Sequence, residues 1–216
     1  MILDVTRTEE EQLEAIKKWW AENGWSVVAG VVIGLAGIFG WRSWEAYQQA
    51  RAEAASHIYS SLIVEIRQNN NDEARSHAQK LLDEYESTSY ALFASLLLAR
   101  LDVEAGNLAS ALQHLQWVLD NTRQDEFRHL ARLRMARVLL ADNRPEEALA
   151  MLESVKNQGK FSASYEELKG DTYIRLGNLE KAKNAYQTAL AEMDDSLRDN
   201  SFLQMKIDDI GRQQPK

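Results

Sequence analysis

Gly170-Asp-Thr-Tyr-Ile-Arg-Leu-Gly-Asn-Leu-Glu-Lys-Ala-Lys-Asn-Ala-Tyr-Gln-Thr-Ala189 decides the fold. Gly177 separates two stretches of helical periodicity, and Gly and Asn are the residues that most readily take the left-handed conformation ending a helix. Five residues on, Ala182 offers a small side chain where two antiparallel helices cross closely, and Tyr186 and Ala189 continue that face. The same register recurs upstream. Ala74, Ala111, Ala148 and Ala182 are 37, 37 and 34 residues apart. Five residues before each stand Asn69, Gly106, Asn143 and Gly177, and four residues after each stand Ala78, Leu115, Leu152 and Tyr186. Leu81, Val118, Val155 and Ala189 follow three residues later. Four columns in one register predict a stack of helical hairpins, an all-α solenoid.

The copy at 163–196 resembles a tetratricopeptide repeat, with Gly170, Tyr173, Gly177, Ala182, Tyr186 and Ala189 at the signature positions. The copy at 129–165 keeps Ala136, Leu139, Asn143, Ala148 and Leu152, and Pro145 suits the start of its second helix. The copy at 92–128 keeps Ala99, Gly106, Ala111 and Leu115 but has Asp102 where the repeat calls for an aromatic or aliphatic residue; Val103 is expected to substitute. The copy at 55–91 keeps Asn69, Ala74 and Leu81 and is degenerate, as terminal repeats are. Four repeats thus fill 55–196. Over 197–216 a capping helix is expected, Ser196 to Ile210 with Leu197, Phe202, Leu203, Met205, Ile207 and Ile210, followed by a frayed Gly-Arg-Gln-Gln-Pro-Lys tail.

The other end of the chain has a different composition. Five of the six Trp and five of the ten Gly lie between residues 19 and 44. No charged residue occurs between Glu22 and Arg42, and residues 23–41 as a helix extend about 28 Å, the thickness of a hydrocarbon layer. Trp19, Trp20 and Trp25 at one end and Trp41 and Trp44 at the other sit where headgroups would be, so this is read as one transmembrane helix. A start of 22 residues with six acids, and an end of Phe-Gly-Trp-Arg-Ser-Trp, do not fit a cleaved signal peptide. Residues 1–22 are expected as a tail whose residues 11–22 form an amphipathic helix with Leu13, Ile16 and Trp20 on one face, ended by Asn23-Gly24. Residues 42–54 form a helical linker. Gly30, Gly34 and Gly37 share one face of the span: either a contact face for a neighbouring helix, or the glycine content usual in membrane helices.

Composition excludes several functions. Without Cys there is no disulfide, thiol nucleophile, Cys-based zinc site or lipidated cysteine. His57, His77, His114 and His129 include no pair at metal-ligand helical spacing, and the span's glycines form no phosphate-binding turn. No enzyme and no cofactor are expected. The net charge of -8, and 22 Lys+Arg against 27 Asp+Glu over residues 42–216, argue against nucleic acid. The basic cluster Arg128, Arg132, Arg134 and Arg137 suits ion pairs or a peptide. First helices line the concave face of such a stack. Repeat register puts Phe93, Leu96 and Arg100 there in the second repeat, and Leu130, Leu133 and Arg137 in the third. Apolar side chains beside arginines suit extended peptides with occasional carboxylates; equally, these apolar residues pack against the membrane-proximal or C-terminal helix.

The segment 11–24, the close Gly-Trp-Arg-Ser-Trp of the span (40–44) and Leu-Gln-Met-Lys-Ile-Asp (203–208) together resemble the bacterial YfgM family. The resemblance implies an inner-membrane protein of Gram-negative bacteria, single-pass, with its N-terminus cytoplasmic and its repeat domain periplasmic. The basic residues flanking the span leave that orientation nearly undecided. By the same resemblance the partners are the SecYEG translocon and the periplasmic chaperone PpiD, with exported polypeptides as further clients. The expected function is a membrane-anchored binding scaffold for the translocon. The alternatives are a transmembrane regulator coupling the periplasmic state to a cytoplasmic stress-response regulator, and a homo-oligomeric anchor paired through Gly30, Gly34 and Gly37.

Overall fold

A computed structural model describes residues 9–193 and 201–213. Among these the backbone forms nine α-helices and a short 3-10 turn, with no strand. They are α1 (Glu9–Arg67), α2 (Asn71–Glu84), α3 (Ser89–Glu104), α4 (Leu108–Asn121), α5 (Asp125–Ala141), α6 (Pro145–Glu153), the 3-10 turn Gly159–Phe161, α7 (Ser162–Arg175), α8 (Leu179–Glu192) and α9 (Ser201–Gln213). The chain divides into two units, one ending at Glu53 and the other beginning at Ala54; α1 contributes to both.

In the first unit the apolar part of α1 is long and apolar enough to cross a membrane, and its large side chains stand free: Trp25 is 84% exposed and Ile33 71%. The expected break at Asn23-Gly24 does not occur, and α1 runs through it. Asn23 Nδ2 donates back to the Trp19 carbonyl at 3.1 Å, and the Trp20 ring lies over Gly24. A helix-interior glycine costs only about 1 kcal/mol relative to Ala, too little to end a helix propagated from both sides.

The second unit is a stack of four hairpins: the end of α1 with α2, where Ala55 and Leu62 share a core with Ala74, Ala78 and Leu81, then α3 with α4, α5 with α6, and α7 with α8. Every hairpin turns in the same way. Asn69, Gly106, Asn143 and Gly177 have φ of 60°, 77°, 56° and 73°. The next residue's N–H reaches back across the helix end: Asn70 to the Glu65 carbonyl at 2.9 Å, Asn107 to Asp102 at 2.8 Å, Arg144 to Leu139 at 2.9 Å and Asn178 to Tyr173 at 2.9 Å. This is the Schellman cap, which satisfies carbonyls the helix end leaves orphaned. The column alanines then donate to the first carbonyl of the second helix, at 3.0 to 3.2 Å, and all four are fully buried. Their columns make the core: Ala74, Ala78 and Leu81; Ala111, Leu115 and Val118; Ala148 and Leu152; Ala182, Tyr186 and Ala189.

The structure differs from the expected repeat at Asp102. It occupies the buried position, 1% exposed, and Val103 does not substitute, being 40% exposed. The carboxylate is accepted because Arg75 of α2 donates to its Oδ1 and Ser110 of α4 to its Oδ2. A buried polar group with partners supplied by both flanking helices fits an apolar column.

The capping helix begins at Ser201; Ser196 and Leu197 lie outside the described residues. Leu203 and Ile210 of α9 are buried with Ala182, Tyr186 and Ala189. Lys206 ties α9 to α7 through Glu167 at 2.9 Å and Asp171 at 2.7 Å, and its ammonium lies over the rings of Phe202 and Tyr186. Gly211 and Arg212, expected in the frayed tail, continue α9; the last three residues lie outside the description.

Candidate partner-binding groove

α4 packs against both α3 and α5, whereas α3 and α5 do not pack backbone to backbone as α5 and α7 do. The gap between these two first helices is an open groove of about 430 Å³. Leu96, Ala99, Arg100, Val103 and Glu104 of α3 form one wall, Arg134, Arg137, Val138 and Ala141 of α5 the other, and Leu115 of α4 contributes to the floor. Spacings of three, four and seven residues put each set on one helical face. The buried Leu96, Leu115 and Val138 make the groove apolar at depth.

Its rim is cationic. Arg100 pairs with Glu104 one turn away at 2.7 Å, both exposed. Arg134 and Arg137 have no hydrogen-bonded or ion-paired partner among the described residues. Burial pushes the Arg134 guanidinium below its ordinary pKa, and the charges of Arg137 and Arg100 push in the same direction. Three cations bear on one another here with a single carboxylate between them.

Of the six residues expected on this face, Leu96, Arg100 and Arg137 line the groove. Leu133 is 4% exposed and packs with Ala148 and Leu152 of its own hairpin and Tyr165 of the next, so it offers no area to a partner. Leu130 is half-buried against the core of the second and third hairpins. Phe93 joins a line of rings: Tyr59 at 5.9 Å and Phe127 at 5.6 Å between centroids, with Tyr90 alongside. Gly30, Gly34 and Gly37 belong to α1 in the first unit, where a Cβ at each would meet nothing within 4 Å.

The ring line and Arg134's place in the groove were missed from sequence. A signal for the first exists: Tyr59, Phe93, Phe127 and Phe161 are each 34 residues apart. It drifts against the alanine columns, whose spacing is 37, 37 and 34, and so falls outside their register. Phe161 does not extend the line of contacts to Phe127. It stacks on His129 at 5.0 Å beside a second cavity, of about 460 Å³, lined also by Arg128 and Arg132. There His129 Nδ1 is 3.0 Å from the Tyr165 hydroxyl. Burial first, then Arg132, keeps the His129 pKa below 6.5. No group of three or more metal-ligating side chains occurs among the described residues.

Comparison with known proteins agrees with this architecture. Residues 17–212 match the family model described as a tetratricopeptide repeat-like domain. A protein of Escherichia coli K12 named ancillary SecYEG translocon subunit is 29% identical over 208 residues, covering 96% of this chain and 99% of that one. A protein of the same name from Aggregatibacter actinomycetemcomitans is 33% identical over 184 residues, 85% of this chain and 89% of that one. Among solved structures, MamA 41-end from Desulfovibrio magneticus RS-1 shares the fold, with a TM-score of 0.53 at 18% identity, over 77% of this chain and 98% of that one. With its hairpins, its caps and relatives matched almost from end to end, the chain belongs to the tetratricopeptide repeat-like family and, within it, to the YfgM family.

Proposed function

We propose that this protein is a membrane-anchored scaffold of the Sec translocon, held by the apolar part of α1, with residues 1–22 cytoplasmic and the hairpin stack periplasmic. The stack brings a periplasmic chaperone of the PpiD type to the translocon and assists the trafficking of exported proteins. The observation that carries this reading is the extent of the similarity. Relatives named ancillary SecYEG translocon subunit match through both the apolar helix and the repeats, over 96% of this chain in one case. Physically, anchoring keeps a modest binding site at high effective concentration where polypeptides emerge, so that weak contacts suffice.

The test is site-specific photocrosslinking in bacterial membranes from Ile33 and Phe39 in α1 and from Val103 in the stack. Crosslinks from α1 to SecYEG subunits and from the stack to the chaperone are expected. Absence of SecYEG adducts from every position overturns the reading. Protease treatment of spheroplasts, with cleavage of the stack only after the outer membrane is opened, checks the orientation.

A further inference from the structure

We propose that the cavity between the opening two turns of α5 and the connection from α6 to α7 binds a phosphate monoester, with the phosphate on Arg128 and Arg132 and the organic group over the Phe161 ring. The inference goes beyond the scaffold reading and does not depend on it.

The cavity exists because the third hairpin departs from the repeat. α2, α4 and α8 each have fourteen residues, whereas α6 has nine. Residues 85–88 join α2 to α3 and residues 122–124 join α4 to α5, but α6 reaches α7 only through residues 154–161. Where the longer second helices would run on, the chain turns through Gly159 at φ 50° and the 3-10 turn. The space left is about 460 Å³, within the range of about 300–1,000 Å³ usual for small-molecule sites. It opens at the edge of the stack where hairpins are joined, away from Arg137 and Ala141 toward the other end of α5.

Its wall is cationic. Arg128 and Arg132 stand one turn apart on α5, and Lys160 lines the other side from the 3-10 turn. Neither arginine makes an ion pair among the described residues, and Arg132 is half-buried beside the fully buried Tyr165. Asp125 and Glu126 also line the cavity, but from the exposed first turn of α5, and Glu126 pairs with Lys160 at 3.8 Å. A guanidinium partly out of water with no counter-charge is stabilised by an incoming anion.

Beside the cations lies a planar apolar surface. Phe161 and His129 stack at 5.0 Å with 28° between their planes, and the half-buried Val155 adjoins them on the lining. This mixture selects the ligand. A phosphate monoester carries about −1.5 to −2 charges and three free oxygens, so one group accepts from both arginines and from Lys160 together. A carboxylate has two oxygens, which occupy one guanidinium fork and leave the second unpaired. Inorganic phosphate would leave the ring and Val155 wet, whereas the organic group of an ester covers them. Soluble esters and the headgroup of phosphatidic acid share this chemistry.

The probe is phenyl phosphate, titrated by calorimetry at neutral pH into the full-length protein in nonionic detergent micelles. It binds at least about tenfold tighter than phenylacetate, and tighter than inorganic phosphate, and its affinity falls as salt is raised. Arg128→Gln and Arg132→Gln each weaken it about tenfold, the loss expected for a hydrogen bond between charged groups. Phe161→Leu reduces the advantage over inorganic phosphate, and Arg137→Gln, in the groove between α3 and α5, leaves binding unchanged. Unfolding midpoints of the variants are measured alongside. Arg132→Lys, which keeps the charge without the fork, retains part of the affinity and serves should Arg132→Gln unfold. Competition separates the sources: displacement of the probe by glycerol 3-phosphate marks a soluble ester, and displacement by dihexanoyl phosphatidic acid at lower concentration marks a lipid headgroup. Displacement by neither overturns the proposal. So does the absence of binding heat with phenyl phosphate at millimolar concentration, equal affinity for phenylacetate, or parental affinity in both arginine variants.

Discussion

Asp102 divides its oxygens between two helices: Oδ1 accepts from Arg75 of α2, and Oδ2 accepts from Ser110 of α4 and faces His114 Nε2 at 3.5 Å. Among the described residues no buried side-chain nitrogen or oxygen lacks a partner. Removing the carboxylate orphans Arg75 and Ser110 together. Asp102→Ala is expected to destabilise the stack by about 3–5 kcal/mol, the usual cost of breaking a buried pair from one side, read as a lowered urea midpoint. Arg75→Leu combined with Asp102→Leu is expected to recover much of that loss, because no uncompensated charge remains. The histidines add a pH dependence. Burial is the largest cause holding both His114 and His129 below 6.5; Asp102 opposes it at His114, where Arg75 adds to it. A depressed histidine pKa means that the unfolded chain binds more protons than the folded one, so stability rises with pH through the interval below 6.5. Bringing the pH from 7.5 to 5.5 is therefore expected to lower the urea midpoint, and His114→Gln with His129→Gln to flatten that slope.

At the scale of the element, one device recurs four times: a left-handed residue, a back-reaching N–H and a buried alanine. Two copies use Asn in place of Gly, and Asn tolerates this region where a β-branched residue does not. Asn143→Val should cost about 1–2 kcal/mol, and Asn143→Gly should be neutral or slightly stabilising, both read by thermal unfolding. The same device made the fold legible, because small and left-handed residues at fixed spacing are dictated by backbone geometry and survive whatever surrounds them. Gly170 belongs to this class, since a Cβ there would overlap the Tyr186 ring. Asp102 was not legible for the opposite reason. Its acceptability depends on Arg75, 27 residues away, and on Ser110, eight residues away, which no single-helix pattern joins. The groove lies between these limits. Repeat register located Leu96, Arg100 and Arg137 on it, but could not show that Leu133 is buried against α6 and α7 or that Arg134 joins Arg137 at the rim.

At the scale of the whole molecule, the two units answer to different solvents. In the unit from Ala54 onward, apolar side chains are spent on one another, and α9 finishes the stack by burying Leu203 and Ile210 over the last hairpin. In α1, Val31, Ile33, Leu35, Ile38 and Phe39 are half exposed or more, with Trp25 and Trp41 beyond them. Such a surface fits a candidate membrane span, because a monomeric soluble protein rarely exposes so large an apolar patch. The two units should therefore respond separately to charge. One Lys near the centre of a span costs about 2.5–3.5 kcal/mol of insertion free energy, so Val31→Lys together with Ile33→Lys approaches twice that, enough to defeat a single span. The double variant is expected to leave the membrane pellet for the soluble or aggregated fraction on carbonate extraction, whereas Val31→Leu with Ile33→Leu stays in it. The hairpin stack, whose core among the described residues starts at Ala55, should keep the parental helical content and urea midpoint in the charged variant. A fall in that midpoint matching the loss from the membrane would mean instead that the stack draws its stability from the bilayer-facing helix.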